Sequence, residues 1–307
     1  MKSKHLVSLA DYSKEEIKEI LELSKDVKKN REKYFDKLRA KTLAMIFEKP
    51  STRTRVSFDV GIYELGGHPL YLGMNDIQIK RGETISDTAQ VLSRYCHGIM
   101  LRTFAHKTIE EFAEYSSVPV INGLSDYLHP CQALADYFTI WEHKGRLKGL
   151  KIAYLGDGNN VAHSLINGAV KLGVNISLGC PKGYQPDEKL VSAAREIAKK
   201  EGVTVEITED PDKAVAGADA LYTDVWASMG QESERAKRLN DLKDYQLDLR
   251  RFKLAKPDAI FLHCLPAHRG EEVAAEVADH ERSVIFDEAE NRLHTQKAVM
   301  LLLMGDR

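Results

Sequence analysis

Chemistry-bearing residues gather in this chain where short apolar runs give way to hydroxyls, guanidiniums and amides. After the apolar run Thr42–Phe47 the sequence reads Glu48-Lys49-Pro50-Ser51-Thr52-Arg53-Thr54-Arg55. Three hydroxyls and two guanidiniums at the amino end of a helix suit a phosphate. Free N–H groups and the helix dipole favour an anion there, and an Arg fork completes the cradle. The competing reading is a plain Ser cap with solvated arginines. The run 99–102 ends in a lone Arg102, which could equally be a surface ion-pair partner. The run 118–122 leads to His129-Pro130-Cys131-Gln132, which opens a helix with an imidazole and an amide. Together these three places suit a small phosphorylated carbonyl compound.

Elements of a particular kind must position them. Ser13 to Glu16 reads as a capping box, followed by Ile17, Ile20, Leu21 and Val27 on one helical face. Thr42–Phe47 is a buried strand, and Ser51 opens a helix carrying Val56, Val60 and Tyr63 on one side. Further strand-like runs lie at 69–72, 99–102 and 118–122, separated by helix-length stretches. A second series has runs at 151–155, 174–178, 203–207, 220–223, 259–262 and 283–286. Such alternation implies crossover connections and parallel sheets. The segment 141–150, with Gly145 and Gly149, is the natural hinge, and a last helix runs from about 290 to 304. The expected fold is α/β: two domains, each a mainly parallel sheet flanked by helices, with the active site in the cleft between them. A length of 307 residues agrees with two domains at about 150 residues each.

Composition removes other classes. Lys and Arg number 44 against 46 Asp and Glu, so no basic surplus marks a nucleic-acid binder. The longest wholly apolar run, 298–304, falls far short of the ~20 residues that span a bilayer. Residues 1–11 hold too short an apolar patch for a signal-peptide core of roughly 7–15 residues. Cys96, Cys131, Cys180 and Cys264 form no Cys-x-x-Cys pair, and a reduced, cytoplasmic chain is expected. None of the 11 histidines has a zinc-motif spacing, so no metal site is expected.

Ser51-Thr52-Arg53-Thr54-Arg55, the strand-end Arg102 and His129-Pro130-Cys131-Gln132 resemble the carbamoyl-phosphate site of the aspartate/ornithine carbamoyltransferase family. The likeness runs nearly end to end. It implies that Ser51, Thr52, Arg53 and Thr54 hold the phosphate, and that Arg102, His129 and Gln132 grip and polarise the carbamoyl carbonyl. It places Arg292 on the same ligand and implies a homotrimer, with Gln78 of the 75–83 loop completing a neighbouring subunit's site. Asp224-Val225-Trp226-Ala227-Ser228-Met229-Gly230 and His263-Cys264-Leu265-Pro266 resemble the signatures of the family's ornithine branch. The aspartate branch's His-Pro-Leu-Pro is absent from that place.

By this resemblance Asp224, Asn160, Ser228 and Met229 bind L-ornithine, and Cys264 and Leu265 meet the carbamoyl group. The catalytic residues it implies are Arg102, His129, Asp224 and Cys264, the cysteine not as a covalent nucleophile. The implied domains are 1–145 plus 290–307 for carbamoyl phosphate and 146–289 for ornithine. The implied reaction is direct attack of the ornithine side-chain amine through a tetrahedral intermediate, giving L-citrulline and phosphate without cofactor. Rivals are a nicotinamide dehydrogenase, suggested by Gly156-Asp157-Gly158, a non-enzymatic anion-binding protein, and relatives acting on putrescine or acylated ornithine. Val161 at the third glycine position of the dinucleotide fingerprint argues against the dehydrogenase.

Overall fold

The computed structural model describes residues 3–228 and 230–305; Met229 lies outside the described residues. The chain divides into two compact units, one of Met1–Phe138 with Glu290–Arg307 and one of Thr139–Ala289.

In the first unit β1 (Thr42–Phe47), β2 (His68–Gly73), β3 (Gly98–Arg102) and β4 (Val120–Leu124) form an all-parallel sheet in the order β2-β1-β3-β4. Its helices are α1 (Lys14–Lys29), α2 (Thr52–Glu64), α3 (Ile85–Tyr95), α4 (His106–Tyr115) and α5 (Pro130–Lys144). The capping box at α1 is formed, with Ser13 and Glu16 each bonding the other's backbone. On α2 the buried face is Thr54, Ser57, Phe58, Gly61 and Ile62. The opposite side, with Val56, Val60 and Tyr63, is exposed. Pro130 stands at the first position of α5, where its missing N–H costs nothing. Because β1 neighbours both β2 and β3, the chain winds away from β1 and β3 in opposite directions. A crevice therefore opens at their carboxyl ends, where such sheets bind ligands.

The second unit repeats the logic. Strands β5 (Lys151–Leu155), β6 (Asn175–Gly179), β7 (Val205–Thr208), β8 (Ala220–Thr223) and β9 (Ile260–Leu262) are all parallel, in the order β7-β6-β5-β8-β9. The switch point lies between β5 and β8. Around them run α6 (Asn160–Leu172), α7 (Glu188–Glu201), α8 (Pro211–Val215), α9 (Arg235–Leu242), α10 (Leu249–Phe252) and α11 (Ala275–Ala278). Leu155, Leu221, Phe252, Phe261, Val273 and Val277 are part of one apolar core of this unit.

One expected strand is corrected. Residues 283–286 make a single parallel bridge, Ser283 to Phe261, and then enter α12 (Ile285–Met304). Glu288 N already donates to Val284 O at 2.9 Å. Asp287 and Glu288 in the first turn favour a helix start, and a run of only three apolar residues, Val284 to Phe286, does not by itself separate strand from helix. The last helix thus starts five residues before the expected position. The division between the units falls within α5 and α12, whereas the expected one followed Gly145. No helix among the described residues is long and apolar enough to cross a membrane.

Candidate active site

In the first unit the sequence-predicted residues converge at the ends of β1 and β3. Phe47 and Arg102 are partners in register, which sets the guanidinium beside the loop that follows β1. Glu48 N donates to Arg102 O at 2.8 Å and ties that loop down. Ser51 caps α2 by accepting from Thr54 N at 3.2 Å. Thr54 is the hub: its hydroxyl oxygen accepts from Arg102 Nη1 at 3.3 Å and Arg292 Nη2 at 3.2 Å. With its oxygen occupied by two guanidiniums, the hydroxyl has one hydrogen left to donate. Arg292 Nη1 also donates to Gln132 Oε1 at 2.6 Å, and Gln132 Nε2 donates to Asp136 at 2.8 Å. Thr54, Arg102, His129, Gln132 and Arg292 are all buried, whereas Thr52 is exposed and Ser51 and Arg53 are half-buried.

This group is built for an anion. Two buried guanidiniums share one hydroxyl, Arg292 also holds the Gln132 amide, and Lys49, itself buried, lies over the Phe104 ring at 4.1 Å. Burial pushes the His129 imidazole well below its usual range, and the charges of Arg292 and Arg102 push it further. It is neutral at pH 7, an uncharged polarising group beside two cations. Cys131 is also buried; its thiol donates to Asn122 O at 3.3 Å, and burial raises its pKa to about 12. Gln78 stands on a separate exposed turn, where its side-chain oxygen accepts from Arg81 at 3.3 Å.

In the second unit Asp224 directly follows β8. Its Oδ1 accepts from Val225 N at 2.8 Å and from Cys264 Sγ at 3.0 Å, and its Oδ2 accepts from Asn159 Nδ2 at 2.7 Å. The two ornithine-branch signatures therefore meet at one carboxylate. Asn160 opens α6 next to the capping Asn159 and is half-buried. Ser228 N donates to Gln231 Oε1 at 3.0 Å in the loop that follows Trp226.

Several supporting residues escape a reading by sequence. Leu265 N donates to His263 Nδ1 at 2.9 Å, so the His263 ring carries its proton on Nε2 and donates to Glu272 at 3.2 Å. Burial opposes ionisation of Glu272, yet bonds from His263 and the His268 backbone hold it below the usual carboxylate range. Glu288 accepts from His263 N at 2.8 Å and from Tyr222 Oη at 3.2 Å. These bonds brace the Cys264–Leu265 turn, where Leu265 sits at φ 59°. Arg238 bonds Asp157 at 2.7 Å and Trp226 O at 3.2 Å, tying the Ser228 loop to the β5 loop. Glu234 pairs with Arg238 at helical spacing, 3.0 Å apart.

The Gly-x-Gly of the dehydrogenase reading has another cause. A Cβ on Gly158 would lie 2.3 Å from Pro186 N, so close chain approach explains that glycine. Asp224, His263 and Cys264 offer three possible metal ligand atoms within 4.8 Å. Both His263 nitrogens are engaged, however, so a metal there would have to break the bond to Leu265 N or the one to Glu272.

Fold and geometry define a two-unit parallel α/β protein with an anion-binding set in one unit and an ammonium-suited carboxylate in the other. Comparison with known proteins sharpens this. Residues 4–142 match the family model described as "Aspartate/ornithine carbamoyltransferase, carbamoyl-P binding domain", and residues 148–303 match the "Asp/Orn binding domain". The chain belongs to the aspartate/ornithine carbamoyltransferase family. It is 56% identical over 307 residues to an ornithine carbamoyltransferase of Pyrococcus abyssi, covering 99% of this chain and 97% of that one. A Pyrococcus furiosus relative named "Ornithine carbamoyltransferase, anabolic" is 56% identical, covering 98% and 96%. The solved P. furiosus ornithine carbamoyltransferase superposes with a TM-score of 0.95 at 55% identity, covering 98% of this chain and 97% of that one.

Proposed function

We propose that this protein is an ornithine carbamoyltransferase, transferring the carbamoyl group of carbamoyl phosphate to the side-chain amine of L-ornithine. The observation that carries the reading is the 3.0 Å contact between Cys264 Sγ and Asp224, which joins the two ornithine-branch signatures at one carboxylate. Relatives 56% identical over essentially the whole chain support it.

Ser51, Thr52, Arg53 and Thr54 bind the phosphate at the amino end of α2. Arg102, His129, Gln132 and Arg292 take the rest of carbamoyl phosphate. Asn160, Asp224, Ser228 and Met229 recognise ornithine, with Asp224 on its α-ammonium. The neutral side-chain amine attacks the carbamoyl carbon, and a tetrahedral intermediate forms. The bond to phosphate breaks with its electron pair leaving on phosphate, and the proton lost by the amine ends on that departing phosphate. Arg102, neutral His129 and the Thr54 hydroxyl donate to the developing oxyanion, and a carbonyl at Cys264–Leu265 accepts from the carbamoyl NH₂. Preorganised donors and positioning supply most of the rate.

The reading extends to assembly and place. We infer a homotrimer in which Gln78 enters a neighbour's site; exposed Gln78 and the exposed apolar side of α2, with Val56, Val60 and Tyr63, support it. A cytoplasmic location and a role in arginine biosynthesis go with this reading. The test is product formation from carbamoyl phosphate with ornithine, N-acetylornithine, putrescine or aspartate. Citrulline from ornithine is expected, with far slower turnover of the others; preferential carbamoylation of putrescine or acetylornithine would overturn the assignment.

A further inference from the structure

Asn160 is the asparagine that the resemblance ties to ornithine, yet the side chain that reaches Asp224 belongs to Asn159. Its Nδ2 donates to Asp224 Oδ2 at 2.7 Å. The other end of the amide is fixed independently. Oδ1 accepts from Val161 N at 2.9 Å and Ala162 N at 3.2 Å, as the cap of α6. Two backbone donors on the oxygen leave the amide one orientation, with its NH₂ towards the carboxylate. Asp224 Oδ1 is held meanwhile by Val225 N and Cys264 Sγ. The buried carboxylate is thus clamped by three different stretches of chain, and Asn159 connects it to the end of a helix.

We propose that Asn159 is a positioning residue, holding Asp224 in the orientation that meets the α-ammonium of the second substrate. A flexible diamino acid offers two ammonium groups, and only geometry decides which one the carboxylate takes. A carboxylate free to rotate would take either and would misplace the reacting nitrogen, so fixing Asp224 serves both affinity and the choice of nitrogen. This inference rests on the ornithine reading of the site.

Two substitutions separate positioning from folding. Asp and Ser are both good helix caps, so Asn159→Asp and Asn159→Ser keep the start of α6. The Asp variant replaces the donor to Asp224 with a second carboxylate, and the Ser variant deletes that donor. For Asn159→Asp the KM for ornithine should rise about tenfold, equivalent to about 1.4 kcal/mol. Asn159→Ser should show a smaller rise. In both, the KM for carbamoyl phosphate and the thermal midpoint should stay near those of the parent. An unchanged ornithine KM in both variants, or equal losses for both substrates, would overturn the proposal. If the parent makes citrulline and the variants keep its ornithine KM, the ornithine reading stands and the role of Asn159 falls. If the parent makes no citrulline, both fall.

Discussion

The residues proposed to bind the anion in the first unit sit on regular elements, and the carboxylate set of the second sits on loops. Arg102 closes β3, Thr54 lies in the first turn of α2, Gln132 in that of α5, and Arg292 on α12. Each is oriented by a backbone that is already fixed, and they contact one another directly. Asp224, Asn159, Ser228, Cys264 and Leu265 instead follow strands or precede helices, and they depend on residues such as Glu272, Glu288 and Arg238 to hold still. The difference matches the ligands assigned to them. A small, rigid, doubly charged phosphate suits a cradle set directly by the backbone, whereas a flexible amino acid with two amines requires loop residues whose orientation is held by braces.

This contrast breaks first at Arg102. Arg102→Leu deletes a buried cation proposed to meet the carbamoyl carbonyl and should cost about 2–5 kcal/mol in carbamoyl-phosphate binding. Near-normal saturation by carbamoyl phosphate would remove Arg102 from the cradle. Asp224→Asn keeps shape and loses charge; it should cost about 1.5–3 kcal/mol in ornithine efficiency and leave carbamoyl-phosphate affinity nearly unchanged. Steady-state kinetics with each substrate varied in turn gives both answers, and a loss shared equally between the substrates would erase the proposed division of labour.

A smaller effect concerns the first unit and acid. Burial lowers the pKa of His129, His106 and His294, and that of His5 to about 4. Above about pH 6.5 these imidazoles are neutral in both folded and unfolded chains and make no difference. Below it the unfolded chain takes up protons that the folded one refuses, so stability falls as pH drops from 6.5 towards 4. Denaturant midpoints at pH 7.5 and 5 should show the fall, and His129→Gln should lessen it. Equal midpoints would mean that these rings ionise freely in the fold.

The same contrast explains what could be read from sequence. Thr42–Phe47 and the cap at Ser51 were legible because an apolar run and a capping hydroxyl are local signals. The helix start near 285 was not, since three apolar residues suit either element. Convergence is a matter of long range: Thr54 and Arg292 are 238 residues apart in sequence, and no periodicity links them. Only the family resemblance grouped those residues before the fold did. Asn159, Glu272 and Glu288 stayed hidden because each acts on a neighbour's geometry, which a residue's type and spacing do not encode. His263 is an instance, its proton assigned only once Leu265 N was seen donating to it.

The central claim is that the two sets of residues bring a carbamoyl group to the neutral side-chain amine of ornithine. An alkyl amine of this kind has a pKa of about 10.4, so its reactive fraction grows about tenfold per pH unit below that value. His129, held neutral, contributes no titration of its own between pH 7 and 9. The decisive measurement is kcat/KM for ornithine from pH 7 to 9, read as citrulline with carbamoyl phosphate saturating and chemistry limiting. The account predicts a steep rise across that range, and a flat profile would contradict it.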